Sequence, residues 1–223
     1  MKRLLLAGLL AFLPVTALAD GNLADGNLAE ADPADGDVVS AAAAEPTAKD
    51  GMTVMADDHV IGSAEAEREL VIYASVTCGH CGDWFTDEWP TVKSDLVETG
   101  KLRVALREFP TAPAQIAVAG FMIANCAGED AYWPVIEKQF QTQDALREAF
   151  AAGKGREAFE TLATEAGVED LQACLSDDAQ FARIDRSMAR GEAAGVSAVP
   201  SFFLDGEALS GAHGASDLIA ALD

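Results

Sequence analysis

Basic residues are scarce in this chain: 15 Lys and Arg stand against 37 Asp and Glu, a formal net charge of −22. That deficit argues against nucleic acid or an anionic lipid surface as partner, because both need a positive face. The acidity reads instead as solubility. Cysteine is limited to four residues, Cys78, Cys81, Cys126 and Cys174, and histidine to three, His59, His80 and His213. Zinc held by Cys78 and Cys81 would need a second ligand pair at close spacing, and Cys126 and Cys174 are 48 residues apart.

The N-terminal apolar run, Leu4 to Val15, is interrupted by Gly8 and Pro14 and is short of the roughly 20 residues that span a bilayer. Lys2 and Arg3 precede it and Ala17-Leu18-Ala19 follows it, the pattern of a secretory signal peptide over residues 1–19, cleaved after Ala19. No cysteine stands near that point to carry a lipid anchor. Export to the periplasm is the expectation, and it puts the four cysteines where disulfides persist.

Aromatic residues are missing from Asp20 to Asp50, a stretch that is nearly all Ala, Gly, Asp, Glu, Asn and Pro, with a doubled Ala-Asp-Gly-Asn-Leu beginning at Ala19. It has little apolar area to offset its ordering entropy, so residues 20–51 read as a disordered acidic linker. Calcium binding by its Asp-Gly-Asn pairs would need a twelve-residue loop ending in Glu, which is absent.

What remains, residues 52–223, reads as the folded part, and a chain of this length that is half apolar can bury one sizeable core or two small ones. Leu70 to Val76 is a continuous β-prone run, as a strand covered on both faces requires. From His80 to Glu98 the apolar residues recur at helical spacing, with Pro90 placed to kink or divide the helix and Gly100 to end it. Leu102 to Phe109 alternates as a second strand. Pro113 to Val196 looks helical, with breaks at Gly128, at Gly153-Lys154-Gly155 and at Gly167. Ser201 to Leu204 is a third strand, Asp205-Gly206 a hairpin turn before Ala208-Leu209, and Ser216 caps a last helix to Leu222.

Cys78 and Cys81 stand where the first strand gives way to a helix. A Cys-x-x-Cys at a helix start puts a sulfur near unpaired N–H groups and the positive end of the helix dipole, which favours thiolate, the nucleophilic form. His80, when protonated, adds to that stabilisation. The bland alternatives for this pair are an inert local disulfide or half of a zinc site.

The chain resembles the DsbA-like branch of the thioredoxin superfamily from about Val60 to Leu222. The resemblance is carried by Tyr73-Ala74-Ser75-Val76-Thr77-Cys78-Gly79-His80-Cys81, Thr99 to Arg103, Arg107-Glu108-Phe109-Pro110, Asn125-Cys126-Ala127, Ala173-Cys174-Leu175 and Gly195 to Phe203. It implies an α/β thioredoxin fold with a large helical insertion, about Thr111 to Gly191, and a cis Pro200 facing the dithiol with Val199 beside it as a substrate-binding residue. It implies a protein disulfide oxidoreductase without a cofactor, acting on exported protein thiols and recycled by a membrane redox partner.

Two departures stand out. Many relatives carry a buried acid six residues before the first cysteine, where this chain has Ile72, so proton transfer falls to water or another carboxylate. Between the cysteines stands Gly79-His80, as in protein disulfide isomerase domains, where DsbA-like proteins often have Pro-His. The isomerase is less oxidising than DsbA by about 60 mV, and a potential near or between the two is expected. An isomerase or reductase, or a thiol protein binding copper(I), are the competing functions. The linker resembles neither a dimerisation domain nor a stalk, which favours a monomeric oxidase.

Cys126 and Cys174 both lie in helical sequence of the insertion and read as a structural disulfide stapling two helices. Trp84, Phe85 and Trp89 read as core of the active-site helix, one of them bordering the peptide groove. His59 and His213 read as solvated loop residues, and Gly206 to Gly214 as turn structure.

Overall fold

The computed structural model describes residues 45–210 and 213–222. The expected signal peptide and most of the expected linker lie outside them. In chain order the elements are α1 (Ala48–Met52), β1 (His59–Ile61), β2 (Arg68–Ala74), α2 (Gly79–Asp87) and α3 (Trp89–Val92). A π-helical turn, Lys93–Val97, leads into β3 (Leu102–Glu108). The helical block follows: α4 (Ala114–Cys126), α5 (Glu129–Gln141), α6 (Gln143–Ala151), α7 (Gly155–Glu165), α8 (Leu171–Cys174) and α9 (Asp178–Ala193). The chain closes with β4 (Ser201–Leu204), β5 (Glu207–Ala208) and α10 (Ala215–Leu222).

The five strands form one mixed sheet in the order β1-β3-β2-β4-β5. β2 runs parallel to β3, with Arg68 opposite Leu102 and Ala74 opposite Glu108, and antiparallel to β4, with Tyr73 opposite Ser201. Its central place explains its composition: Leu70 to Ala74 are all fully buried. Side chains of a strand alternate between faces, so Leu70, Ile72 and Ala74 enter the larger core with α2, α4 and α5. Val71 and Tyr73 enter a smaller core with Phe203 and Val196 on the opposite face. This is a thioredoxin-like fold, with the helical block inserted between β3 and β4. Among the described residues no helix is long and apolar enough to cross a membrane.

Pro90 does divide the helical stretch after the dithiol, sitting at the start of α3 where its missing N–H leaves no intrahelical bond unmade. Gly128 and Gly167 lie at the ends of helices with φ of 88° and 75°, a left-handed backbone that side chains disfavour.

The folded part starts earlier than Met52. Thr47 and Asp50 form a reciprocal capping box on α1. The buried Arg107 of β3 donates to the Asp50 carbonyl at 2.7 Å and to the Thr53 carbonyl at 2.7 Å, and pairs with Asp58 at 2.7 Å. Tyr73 adds a hydroxyl bond to the Gly51 carbonyl at 2.8 Å. Composition places residues 47–51 in the linker because the groups that anchor them, Tyr73 and Arg107, lie 22 and 57 residues further along the chain.

His59 is likewise no surface loop residue. It belongs to β1, is 6% exposed, stacks on Tyr132 at 3.7 Å, and reaches Glu129 at 2.7 Å and Asn125 at 2.9 Å. A short edge strand carries too little local pattern to reveal such contacts. His213 is half-buried with its ring edge-on to Phe202, centroids 5.4 Å apart, so it too is more than a solvated residue.

Candidate active site

β2 ends at Ala74, and a turn of four residues, Ser75 to Cys78, delivers the chain into α2. The fully buried Ser75 organises this turn. Its carbonyl accepts the Cys78 N–H at 3.0 Å, and its hydroxyl accepts the Thr111 N–H at 3.1 Å and lies 3.0 Å from the Thr77 hydroxyl. Thr77 in turn donates to the Thr111 carbonyl at 3.0 Å. The segment leaving β3 thus braces the segment leaving β2, as two adjacent parallel strands allow.

Cys78 is the N-cap of α2 and has extended backbone angles, φ −83° and ψ 119°. Among the described residues no side chain caps this helix, so its first N–H groups stay available to the sulfur. Cys78 is half-buried, whereas Cys81, one turn on, is fully buried, and both are free thiols here. The Cys78 thiol is lowered from 9.0 to about 6, first by the hydrogen bond it receives from Cys81, then by the backbone N–H groups of Cys81 and His80 and by the His80 charge. Cys81 moves the opposite way, since it keeps its proton to serve that bond and burial disfavours its anion. The arrangement offers one attacking sulfur and one protected sulfur behind it.

Across from the dithiol, the Val199–Pro200 peptide bond is cis, and the Cys78 thiol donates to the Val199 carbonyl at 3.4 Å. His80 is exposed. Beside it runs a cleft of about 390 Å³ lined by His80, Asp83, Trp84, Pro200, Phe202 and His213, among others. Trp84 is anchored by its indole N–H to the His213 carbonyl at 2.7 Å and packs on Phe202, while Phe85 and Trp89 are buried in the core. On the other side of the turn Thr77 borders a second, mainly apolar pocket of about 200 Å³ with Ile116, Leu146 and Phe150.

Ile72 occupies the middle of β2, fully buried in apolar surroundings, and among the described residues the groups acting on Cys81 are Cys78 and the Ser75 backbone, with no carboxylate among them. Cys126 and Cys174 lie apart from this site. Each is the last residue of its helix, α4 and α8, and their sulfurs are bonded, with the Cα atoms 6.0 Å apart.

Sequence reasoning overlooked Gln143 and Thr111 as neighbours of the turn. Both come from regions remote from Cys78, and the one local sign was a polar residue opening a helix whose other inward positions are apolar. Gln143 is buried, and its amide bonds the carbonyls of Val76 and Cys78.

The sequence profile of the Thioredoxin family matches residues 55–223. The Na(+)/H(+) antiporter NhaA of Herminiimonas arsenicoxydans is 29% identical over 168 residues, covering 74% of this chain and 25% of that protein. A Rickettsia bellii relative, named as a protein-disulfide oxidoreductase, is 28% identical over 128 residues, covering 55% of this chain and 46% of its own. The chain therefore spans a quarter to about half of these relatives' lengths. Among solved structures, Wolbachia pipientis alpha-DsbA1 superposes with a TM-score of 0.70 at 18% identity, covering 79% of this chain and 94% of that one. A protein-disulfide isomerase from Novosphingobium aromaticivorans superposes with a TM-score of 0.62 at 22% identity, covering 74% and 97%.

Proposed function

The chain belongs to the Thioredoxin family, and on that premise we propose that it is an exported, periplasmic thiol–disulfide oxidoreductase that oxidises the thiols of other exported proteins through Cys78 and Cys81. The observation that carries this reading is the split between the two thiols: Cys78 is reachable and lowered to about 6, and Cys81 is buried and held protonated.

The working form holds a Cys78–Cys81 disulfide. A substrate thiolate attacks the Cys78 sulfur, forming a mixed disulfide and expelling Cys81 as a thiolate, which takes a proton from water as its burial favours the neutral form. A second substrate thiolate then attacks the substrate sulfur of the mixed disulfide and expels Cys78, the better leaving group for its low proton affinity. The substrate loses two electrons and gains a disulfide, and the enzyme leaves as the dithiol. A membrane redox partner, quinone-linked by analogy with the DsbA-like branch, reoxidises it. Val199 and Pro200 supply the backbone edge on which an extended substrate lies. His80 stabilises the departing Cys78 thiolate, and the Cys126–Cys174 bond serves as a brace outside the reaction.

The test is thiol oxidation of a reduced peptide by the disulfide form, together with the equilibrium potential of the pair against glutathione. An oxidising potential with turnover supports the reading. A pair that stays reduced in fresh periplasmic extract assigns the protein to the isomerases or reductases instead. Copper(I) retained in stoichiometric amount without thiol exchange ends the proposal.

A further inference from the structure

Gln143 opens α6, inside the helical block, yet its side chain serves the dithiol turn. Its Nε2 group donates to the Val76 carbonyl and to the Cys78 carbonyl, each at 2.9 Å, so both amide hydrogens are used. Its Oε1 accepts from Arg147 Nη2 at 3.2 Å, and the residue is only 8% exposed. On the facing side stands Gly82, where an added Cβ would lie 2.7 Å from Gln143 Oε1. The residue directly after Cys81 is therefore the one that leaves room for this side chain.

The Cys78 carbonyl already accepts the Gly82 N–H at 3.0 Å, the first bond of α2. Gln143 gives that oxygen a second donor. Carbonyl oxygens are the negative ends of dipoles and repel a nearby thiolate, so donors placed on the two carbonyls flanking Thr77 weaken that repulsion. They also fix the turn that aims the Cys78 sulfur at the N–H groups of His80 and Cys81. The groups facing the sulfur are His80 and Cys81 of α2 and the Val199 carbonyl. Arg147 stands one hydrogen bond behind, on α6.

We propose that Gln143 is a positioning residue of the dithiol, clamping the Val76 and Cys78 carbonyls and thereby holding the Cys78 sulfur at the mouth of α2. The inference rests on the dithiol's being the reactive centre, as proposed above. Gln143 contacts no reacting sulfur and acts through the backbone. Through it the helical insertion, which contributes neither active sulfur, helps set the thiolate's stability.

The test compares reduced wild-type protein with Gln143→Met, which keeps the length and volume but removes both donors, and with Gln143→Glu, which offers acceptors only. Titration of the thiolate by its ultraviolet absorbance reads the Cys78 midpoint, and thermal melting is followed alongside. The Gln143→Met midpoint is expected to rise by about one pH unit, and Gln143→Glu to raise it further. The disulfide of both variants becomes less oxidising, because the thiolate that stabilises the reduced form is weakened. A lower melting temperature with an unmoved midpoint overturns the proposal and leaves Gln143 as a packing contact. Should Gln143→Met fail to fold, Gly82→Ala displaces the same amide from the other side, and an unmoved midpoint there overturns it equally. The titration needs no turnover, so a wild-type protein unable to oxidise thiols defeats the proposed function while the midpoints still decide the role of Gln143.

Discussion

Cys78 stands at the first turn of α2, whereas Cys126 and Cys174 are each the last residue of a helix. The four sulfurs have the same chemistry and opposite settings. At a helix start unpaired N–H groups stabilise a thiolate; at a helix end carbonyls stand in their place, those of Leu171, Ala173 and Cys174 accepting from Leu175, Ser176 and Asp177, and the Cys174 sulfur lies 3.3 Å from the Met122 carbonyl. Disulfide exchange needs a thiolate that leaves easily and an attacker that can reach it. The proposed reactive pair is set for both, with Cys78 half-buried beside a cleft. In the second pair, Cys174 is buried and Cys126 half-buried, neither lines the cleft beside Cys78, and their bond closes a loop of 48 residues. On the proposed reading, one domain holds a labile and an inert cysteine pair, the working sulfur at a helix start and the bracing sulfurs at helix ends.

The sharpest way to break this comparison is to exchange the roles by mutation. Cys78→Ser is expected to lower thiol oxidation by about a thousandfold or more in a peptide assay, since the attacked sulfur is gone. The double change Cys126→Ala with Cys174→Ala is expected to keep the oxidation rate within a few-fold while costing about 4 kcal/mol in denaturant unfolding. If the double variant lost activity and kept its stability, the division between working and bracing pairs would collapse.

A second test uses pH. Cys78 is an acid whose midpoint in the folded protein, about 6, lies below its ordinary 9.0. Its thiolate therefore contributes stability to the reduced fold above pH 9.0, and that contribution shrinks as the pH falls and is gone below about 6. Alkylation of the native dithiol should follow the same midpoint, be half-maximal near pH 6, and stop at one modified sulfur because Cys81 stays buried and protonated. Two sulfurs modified in parallel, or a midpoint near 9.0, would show that neither the Cys81 hydrogen bond nor the helix start stabilises the Cys78 thiolate.

The smallest effect tests the turn itself. Ser75→Ala removes a buried hydroxyl that serves Thr77 and Thr111 and should cost about 1–2 kcal/mol. Thermal melting checks it, and a larger loss of the Cys78 thiolate than of stability would move Ser75 into the reactive machinery.

Much of this was legible along the chain because it depends on neighbours in sequence. Leu70 to Val76 announced a doubly covered strand, observed as Arg68–Ala74, and the strand at Ser201–Leu204 and the break at Pro90 stand where pattern and backbone chemistry put them. α1 escaped notice because its composition matches the acidic segment before it, and its anchors, Arg107, Tyr73 and the end of α9, lie far along the chain. β1 and the buried role of His59 escaped for a similar reason: three residues of edge strand make no period. Gln143 left no local mark beyond polarity at a helix start, although it touches the active turn.

The sequence by itself determined which sulfur pair could be reactive, because a Cys-x-x-Cys entering a helix creates its own thiolate-stabilising end, and it determined the strand and helix order through side-chain periodicity. Only the tertiary structure decided what closes around that pair. The Val199 carbonyl, the Thr111 brace and the Gln143 clamp come from segments far along the chain and meet Cys78 or the turn that carries it, because β2 lies between β3 and β4 and the inserted helices pack over its end. Hydrogen bonds of that reach follow from strand order and packing, which no local pattern of residues encodes.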